Sequence, residues 1–196
     1  NIGPYLSIDE VSLSKGELYT IVTNKDAKGK KGSIVASIKG TLSADILEVL
    51  QKIEQPQRMK VEEVTMDLAY NMDYAARHAF PNAIRTIDHF HVIKLAMEAQ
   101  QHLRVQYRWE SLDKENETIS LAKKEGRKYK PTILINGDTL KQLLARSRYI
   151  IARRECQWTE NQQERAKLLF EHYPLMKTAY EHIIQLRNVY SNQQEA

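Results

Sequence analysis

The chain has 196 residues, enough to bury a sizeable core in one domain or in one domain with an elaboration. Its single cysteine, Cys156, excludes an internal disulfide framework and a cysteine-based zinc site, and it favours a reducing compartment. No apolar run approaches the roughly 20 residues that span a bilayer, so we expect a cytoplasmic protein without a membrane partner.

Positive charge is concentrated in the second half of the chain. Residues 1–90 carry 11 Lys and Arg against 12 Asp and Glu, whereas residues 91–196 carry 18 against 13. A basic half of this kind suggests a polyanionic partner such as nucleic acid. An ordinary solvated helical surface is the alternative interpretation of the same excess.

The first 60 residues predict three strands and a helix. Residues 5–13 alternate apolar and polar side chains, and residues 18–23 and 33–38 repeat a strand pattern. Polar turns between these segments predict a three-stranded antiparallel meander. Ser43 is the expected N-cap of a helix that ends before Pro56.

Two further predicted strands each stop at an aspartate. Residues 61–66 lead to Asp67, residues 83–87 lead to Asp88, and residues 70–80 have helical spacing between them. Such alternation of strand and helix predicts a parallel sheet. Chemistry in parallel sheets lies beyond the carboxyl ends of the strands, so this edge is the candidate site.

The second half is predicted to be helical, apart from a polar, lysine-rich passage over residues 111–130. Its helices are predicted over residues 91–107 and 139–151, from a capped start at Thr159-x-x-Gln162, and over 175–190.

The element order is β-β-β-α-β-α-β-α, which is the order of the ribonuclease H-like fold. We therefore predict an α/β protein with a ribonuclease H-like mixed five-stranded sheet and flanking helices over residues 1–90, followed by an all-helical insertion over residues 91–196. In this arrangement the first strand lies beside the fourth, and Asp9 and Asp67 are expected roughly 5 Å apart. Two carboxylates so placed can share divalent metal ions.

The chain resembles an insertion-sequence transposase of the ISL-three family, whose catalytic domain is ribonuclease H-like and carries an Asp-Asp-Glu triad. The resemblance rests on residues 6–10 (LSIDE), 64–67 (VTMD), 143–148 (LLARSR), 174–180 (PLMKTAY) and above all 80–94 (FPNAIRTIDHFHVIK). His89 stands where the family usually has Arg. The segment with the family's catalytic Glu is expected beyond Ala196, so the chain alone is expected to be inactive as a transposase.

The resemblance implies metal-dependent cleavage of DNA at the element's ends and joining of the freed 3′ hydroxyl to target DNA. Mg²⁺ or Mn²⁺ would be the cofactor, with Asp9 bridging two ions and Asp67 binding one of them. Asp88 and His91 form an Asp-x-x-His pair that is a possible accessory to catalysis. In the alternative interpretation, Asp88 caps the following helix and His91 packs beside it.

The implied partners are transposon-end and target DNA in a bacterial cytoplasm, with a homo-oligomer possible. Candidate phosphate contacts are the basic residues Lys123, Lys124, Arg127, Lys128, Arg146, Arg148, Arg153 and Arg154.

Two other function classes stay open. A ribonuclease H-like nuclease would use the same two carboxylates without the helical insertion, and a non-catalytic remnant of a transposase would keep only the fold and its binding to DNA or protein.

Overall fold

Alternating apolar residues build a mixed five-stranded sheet in the computed structural model. The structure describes residues 2–13 and 16–192, with residue 192 described by its backbone alone. The strands are β1 (Tyr5–Ser12), β2 (Leu18–Asn24), β3 (Ile34–Lys39), β4 (Glu63–Met66) and β5 (Ile84–Ile87). Their order across the sheet is β3-β2-β1-β4-β5. The first three strands pair antiparallel, and β1-β4 and β4-β5 pair parallel. The predicted α/β class and mixed sheet are confirmed, and the order is consistent with a ribonuclease H-like fold.

Seven helices lie within the described residues. They are α1 (Ser43–Gln51), α2 (Gln55–Arg58), α3 (Tyr70–Ala79), α4 (His89–Lys124), α5 (Leu140–Arg146), α6 (Glu160–His172) and α7 (Pro174–Asn192). The chain divides between Val92 and Ile93 into two compact units, which we name the sheet unit and the helical unit. No helix of the described segments is long and apolar enough to cross a bilayer.

One face of the sheet is covered and the other carries polar groups. Leu6 and Ile8 of β1 and Val64 and Met66 of β4 are buried in a core shared with α1 and α3. Alanines at three positions of α3 are fully buried in this core. Since successive strand residues point to opposite faces, the alternate residues of β1, including Asp9, lie on the other face.

The helical unit has a separate apolar core. It is built from α5, the segment that follows it, α6 and α7, with side chains of α4 packed against its edge. Its buried members include Leu143, Leu144, Ile150, Ile151, Trp158, Leu169 and Met176. The predicted capping box at Thr159 and Gln162 is confirmed, since the Thr159 N–H donates to Gln162 Oε1 at 3.1 Å.

The prediction that α4 ends near Tyr107 is wrong, because the helix continues to Lys124. Residues 108–124 are polar, but they contain neither Gly nor Pro, and three Glu, three Lys, two Leu and one Ala among them favour helix. Gly126, two residues beyond the end of α4, has a left-handed φ of 69°. There the Arg127 N–H donates to the Ala122 carbonyl at 2.9 Å, as in a Schellman motif.

Two other predicted helix limits are also corrected. The N-cap of α1 is Leu42 rather than Ser43, because the Leu42 carbonyl already accepts the Ile46 N–H at 3.1 Å. The basic helix predicted over residues 139–151 ends at Arg146 as α5. At that point Ser147 Oγ donates to the Leu143 carbonyl at 2.6 Å, a local bond that competes with continuation of the helix.

A buried carboxylate connects α5 and α6. The side chain of Asp138, 1% exposed, accepts from Arg165 Nε at 2.8 Å and also pairs with Arg146. Burial by itself would raise the pKa of Asp138, but the hydrogen bond and charge of Arg165, and then Arg146, outweigh it and lower the pKa below its ordinary value. The ionised carboxylate therefore stabilises the helical unit.

We predict that Asp138→Asn lowers the free energy of unfolding by about 2 kcal/mol, because it leaves Arg165 without its carboxylate while the more exposed Arg146 stays hydrated. Urea denaturation at neutral pH measures this loss. A folded-state pKa below the unfolded value means that the stabilisation is present above the unfolded pKa and is lost as pH falls through the folded pKa. The difference between the variant and the wild type should therefore shrink in acid.

Asp113→Asn is the matched control, since Asp113 is exposed on α4 and has no ion pair among the described residues. Equal stability of Asp138→Asn and the wild type at neutral pH would contradict the structural role of the buried carboxylate.

Candidate active site at the carboxyl ends of the strands

Three aspartates stand in one row at an edge of the sheet. β1 and β4 pair as far as Ile8 and Met66, and the next residues along the two strands are Asp9 and Asp67. Met66 is also paired with the last residue of β5, after which comes Asp88. The Asp88 N–H donates to the Met66 carbonyl at 2.7 Å, so the ladder continues into this row. We call these three residues the aspartate row.

Each carboxylate of the row is oriented by a nearby backbone N–H. The three bonds run to Asp9 Oδ1 from Glu10 at 2.8 Å, to Asp67 Oδ1 from Ala69 at 2.8 Å, and to Asp88 Oδ1 from Phe90 at 2.9 Å. Oδ2 of Asp9 and of Asp67 accepts no hydrogen bond from any residue that the structure describes. The side chain of Asp9 is 58% exposed, and that of Asp67 is half-buried. These oxygens are therefore open to a ligand.

His91, in the first turn of α4, lies between two members of the row. Its Nε2 is 3.9 Å from Asp9 Oδ1 and 3.9 Å from Asp88 Oδ2. These distances are too long for hydrogen bonds, but they permit electrostatic attraction when the imidazole is protonated. The ring meets that of Phe90 edge-on, with the ring centroids 5.7 Å apart. Sequence spacing related His91 to Asp88 alone; its approach to Asp9 depends on tertiary folding.

Asp88 occupies the N-cap position of α4. Its side chain accepts the Phe90 N–H, and its carbonyl accepts the His91 N–H at 3.1 Å. These bonds satisfy donors that the first turn of a helix leaves unpaired. His89 Nδ1 is also near, at 3.6 Å from Asp88 Oδ1. The geometry thus gives Asp88 a structural role that is independent of any catalytic one.

Lys25 is a cation at the same sheet face that the sequence did not single out. Its Nζ donates to Glu63 Oε1 at 3.0 Å and to Thr65 Oγ1 at 2.9 Å. Glu63 and Thr65 alternate with the buried residues of β4 and so share the face that bears Asp9. The hydrogen bond from Lys25, then that from Thr65, lowers the pKa of the Glu63 carboxyl. No local sequence signal marks this contact, which joins residues about 40 positions apart.

The predicted DNA-binding residues fall into two groups in the helical unit. The first group is at the end of α4, where Lys123 and Lys124 lie in the last turn and Arg127 and Lys128 follow it. All four side chains are exposed. Arg127 is paired with Glu125, so part of this positive charge is neutralised locally.

The second group follows α5 and is divided by its contacts. Arg146 pairs with the buried Asp138, and Arg154 Nη1 donates to Asn188 Oδ1 at 2.6 Å. Arg148 and Arg153 are exposed and have no ion pair among the described residues. The arginines of this group therefore include both structural and available cations.

The row does not by itself complete a metal centre. Within residues 2–13 and 16–192, no three His, Cys, Asp or Glu side chains are grouped so that they could hold a metal ion. Asp9 and Asp67 supply carboxylate oxygens, the hard donors that Mg²⁺ and Mn²⁺ prefer. Their type fits such an ion, and a further ligand is needed beside them.

Comparison with known families gives a match across both units. A family model described as a transposase, of the DDE type and the ISL-three group, matches residues 6–196. The match includes the whole aspartate row and the helical unit. A search of curated proteins gave no match.

We predict that Asp88→Ala lowers the free energy of unfolding by about 1 kcal/mol, whereas Asp88→Asn leaves it nearly unchanged, because Asn also accepts the Phe90 N–H at an N-cap. Thermal or urea denaturation measures both. An equal loss in the two variants would show that the carboxylate charge, rather than the cap, is what stabilises this end of α4.

Proposed function

Because the chain belongs to the ISL-three family of DDE transposases, we propose that it catalyses metal-dependent cleavage and transfer of DNA strands at the ends of an insertion sequence. Asp9 and Asp67 are two of its catalytic carboxylates. The observation that supports this proposal is their position in adjoining parallel strands, one residue beyond the last paired residues Ile8 and Met66. The carboxyl ends of parallel strands are the usual place for such chemistry.

Asp9 and Asp67 would hold Mg²⁺ or Mn²⁺ together with a third carboxylate, the Glu of the family triad. When bound, the ions stabilise the attacking and leaving oxygens of an in-line phosphoryl displacement. The chain's own contribution is orientation. One oxygen of each carboxylate is fixed by a backbone N–H, which leaves Oδ2 free for a ligand.

Asp88 and His91 are proposed as positioning residues. The Asp88 cap fixes the first turn of α4, and that turn holds the His91 ring 3.9 Å from Asp9. A protonated imidazole there would draw the Asp9 carboxylate toward α4 and limit its rotation. Neither residue needs to touch the metal for this effect.

Two facts favour the transposase over the alternatives. The family match runs through the helical unit, which a ribonuclease H-like nuclease such as a resolvase would lack. The basic excess of residues 91–196 fits DNA as the partner.

The first test is a calorimetric Mn²⁺ titration of the chain. We expect Asp9→Asn and Asp67→Asn each to weaken Mn²⁺ binding by about tenfold or more, because each removes a charged oxygen ligand. Glu10→Gln is the matched control, since this exposed neighbour of Asp9 points to the opposite face of β1. Unchanged affinity in both Asp variants, or an equal loss in the control, would refute the metal role.

The second test is a cleavage assay on a protein that carries the complete catalytic triad. Asp9→Asn or Asp67→Asn should slow Mg²⁺-dependent strand cleavage of element-end DNA by on the order of 10³-fold, because several kcal/mol of charge stabilisation in the transition state is lost. Circular dichroism should show an unchanged fold. Wild-type cleavage rates in either variant would exclude that residue from catalysis.

A further inference from the structure

The segment after α5 is held in place by side chains from other elements. We call residues 147–153 the turn segment. Its carbonyls accept from Gln101 Nε2 at Arg148 (3.0 Å), from Trp158 Nε1 at Ile150 (2.9 Å), from Arg187 Nη1 at Ala152 (3.2 Å) and from Tyr180 Oη at Arg153 (3.1 Å). Bonds from α4, from α7 and from Trp158, two residues before α6, thus fix a backbone that has no regular ladder of its own.

The fixed backbone separates the side chains into two sets. Ile150 and Ile151 are buried in the core of the helical unit, 1% exposed each. Arg148, Tyr149 and Arg153 point to solvent. The Arg148 guanidinium lies over the Tyr149 ring, 5.6 Å from its centroid, which orients the charge. The turn segment therefore presents two guanidinium groups on a rigid support.

A buried arginine adds positive charge at one end of the turn segment. Arg104 of α4 is 7% exposed, and it donates to the Leu144 carbonyl and to Gln101 Oε1, both at 2.8 Å. Both acceptors are neutral. Burial, and then repulsion from Arg148 and Arg108, lowers the pKa of Arg104. No carboxylate in the described residues pairs with Arg104, and an unpaired buried charge is unfavourable.

At the other end of the turn segment the corresponding arginine, Arg187 of α7, is half-buried. Both terminal nitrogens of Arg187 donate to the Ala152 carbonyl at 3.2 Å, and one also lies 2.9 Å from Met97 Sδ. Burial, and then repulsion from Arg154, lowers the pKa of Arg187. Guanidinium groups bonded to neutral acceptors thus flank the turn segment at both ends. A bound anion would offset this excess charge.

The basic end of α4 is less suited to an anion. Arg127 is paired with Glu125, and the last four turns of the helix also carry Asp113, Glu115 and Glu117. Acidic and basic groups alternate along this surface. Arg148 and Arg153 of the turn segment, by contrast, have no ion pair in the described chain, and Arg148 and Arg108 both lie close enough to Arg104 to repel its charge.

We propose that the turn segment, together with Arg108, is the surface by which the helical unit binds the phosphodiester backbone of DNA, with Arg148 and Arg153 contacting phosphates. The planar guanidinium can donate two parallel hydrogen bonds to one phosphate, which suits Arg better than Lys for this contact. Arg146 and Arg154 act as structural cations. The inference rests on the proposed function, since it takes DNA as the substrate.

The test compares two double variants of the chain that remove the same charge. Arg148→Gln with Arg153→Gln alters the proposed surface, and Lys124→Gln with Lys128→Gln alters the end of α4 as the matched control. All four side chains are exposed, so thermal melts should be unchanged. Fluorescence anisotropy measures binding to a labelled duplex of about 30 base pairs and unrelated sequence, between about 50 and 200 mM salt.

We expect the arginine variant to reduce the slope of log K against log salt by about 1.8, which is about 0.9 for each lost phosphate contact, while the control keeps the wild-type slope. An equal reduction in both variants, a reduction in the control alone, or no duplex binding by the wild type would each overturn the proposal. Mn²⁺ titration of the arginine variant separates this result from the catalytic proposal, because the aspartate row is unaltered and its affinity for Mn²⁺ should match the wild type.

Discussion

The parallel register of β1, β4 and β5 is the constraint on which the candidate site depends. Ile8 and Met66 are paired and buried under α1 and α3, so the next residues, Asp9 and Asp67, come side by side where the pairing of β1 with β4 ends. A slip of one residue would turn a carboxylate into the apolar core and expose Ile8 or Met66. Apolar packing on one face of the sheet thus fixes carboxylates on the other. The packing of the core therefore positions the aspartate row for the proposed chemistry, although the three aspartates lie outside that core.

Much of the sheet unit could be predicted because each element has its own local signal. Alternation marks β1, turn residues separate the first three strands, and Pro81-Asn82 ends α3. Errors arose where polarity was taken for a loop. Residues 111–124 are strongly polar, yet their helix propensity and the absence of Gly before Gly126 carry α4 onward. A polar composition indicates that a segment is exposed to solvent. The helix propensity of its residues and the positions of Gly and Pro determine whether the segment is helical.

The aspartates of the site were visible in the sequence, but their neighbours were not. A strand that stops at Asp67 or Asp88 is a local pattern, and parallel topology brings the two strands together. The approach of His91 to Asp9, and of Lys25 to Glu63, joins residues distant in sequence and follows from tertiary packing. No periodicity encodes such contacts. The resemblance assigned roles to Asp9 and Asp67, and the cap made by Asp88 was an alternative interpretation of the sequence that the Phe90 N–H bond to its carboxylate supports.

Net charge was the poorest guide to how the helical unit uses its arginines. The excess of Lys and Arg over Asp and Glu in residues 91–196 predicted a polyanionic partner. A net charge, however, gives Arg104, Arg146 and Arg187 the same weight as exposed residues. In the structure Arg146 pairs with Asp138, while the buried Arg104 and the half-buried Arg187 bond to backbone carbonyls of the chain around the turn segment. A guanidinium so placed satisfies carbonyls that the end of a helix leaves unpaired and also retains its charge. Arg104 and Arg187 therefore both hold the backbone of the turn segment in its shape and add to the positive charge around it. Neutralising Arg104 or Arg187 would alter both together, and only the exposed Arg148 and Arg153 allow the charge to be removed while the backbone is kept.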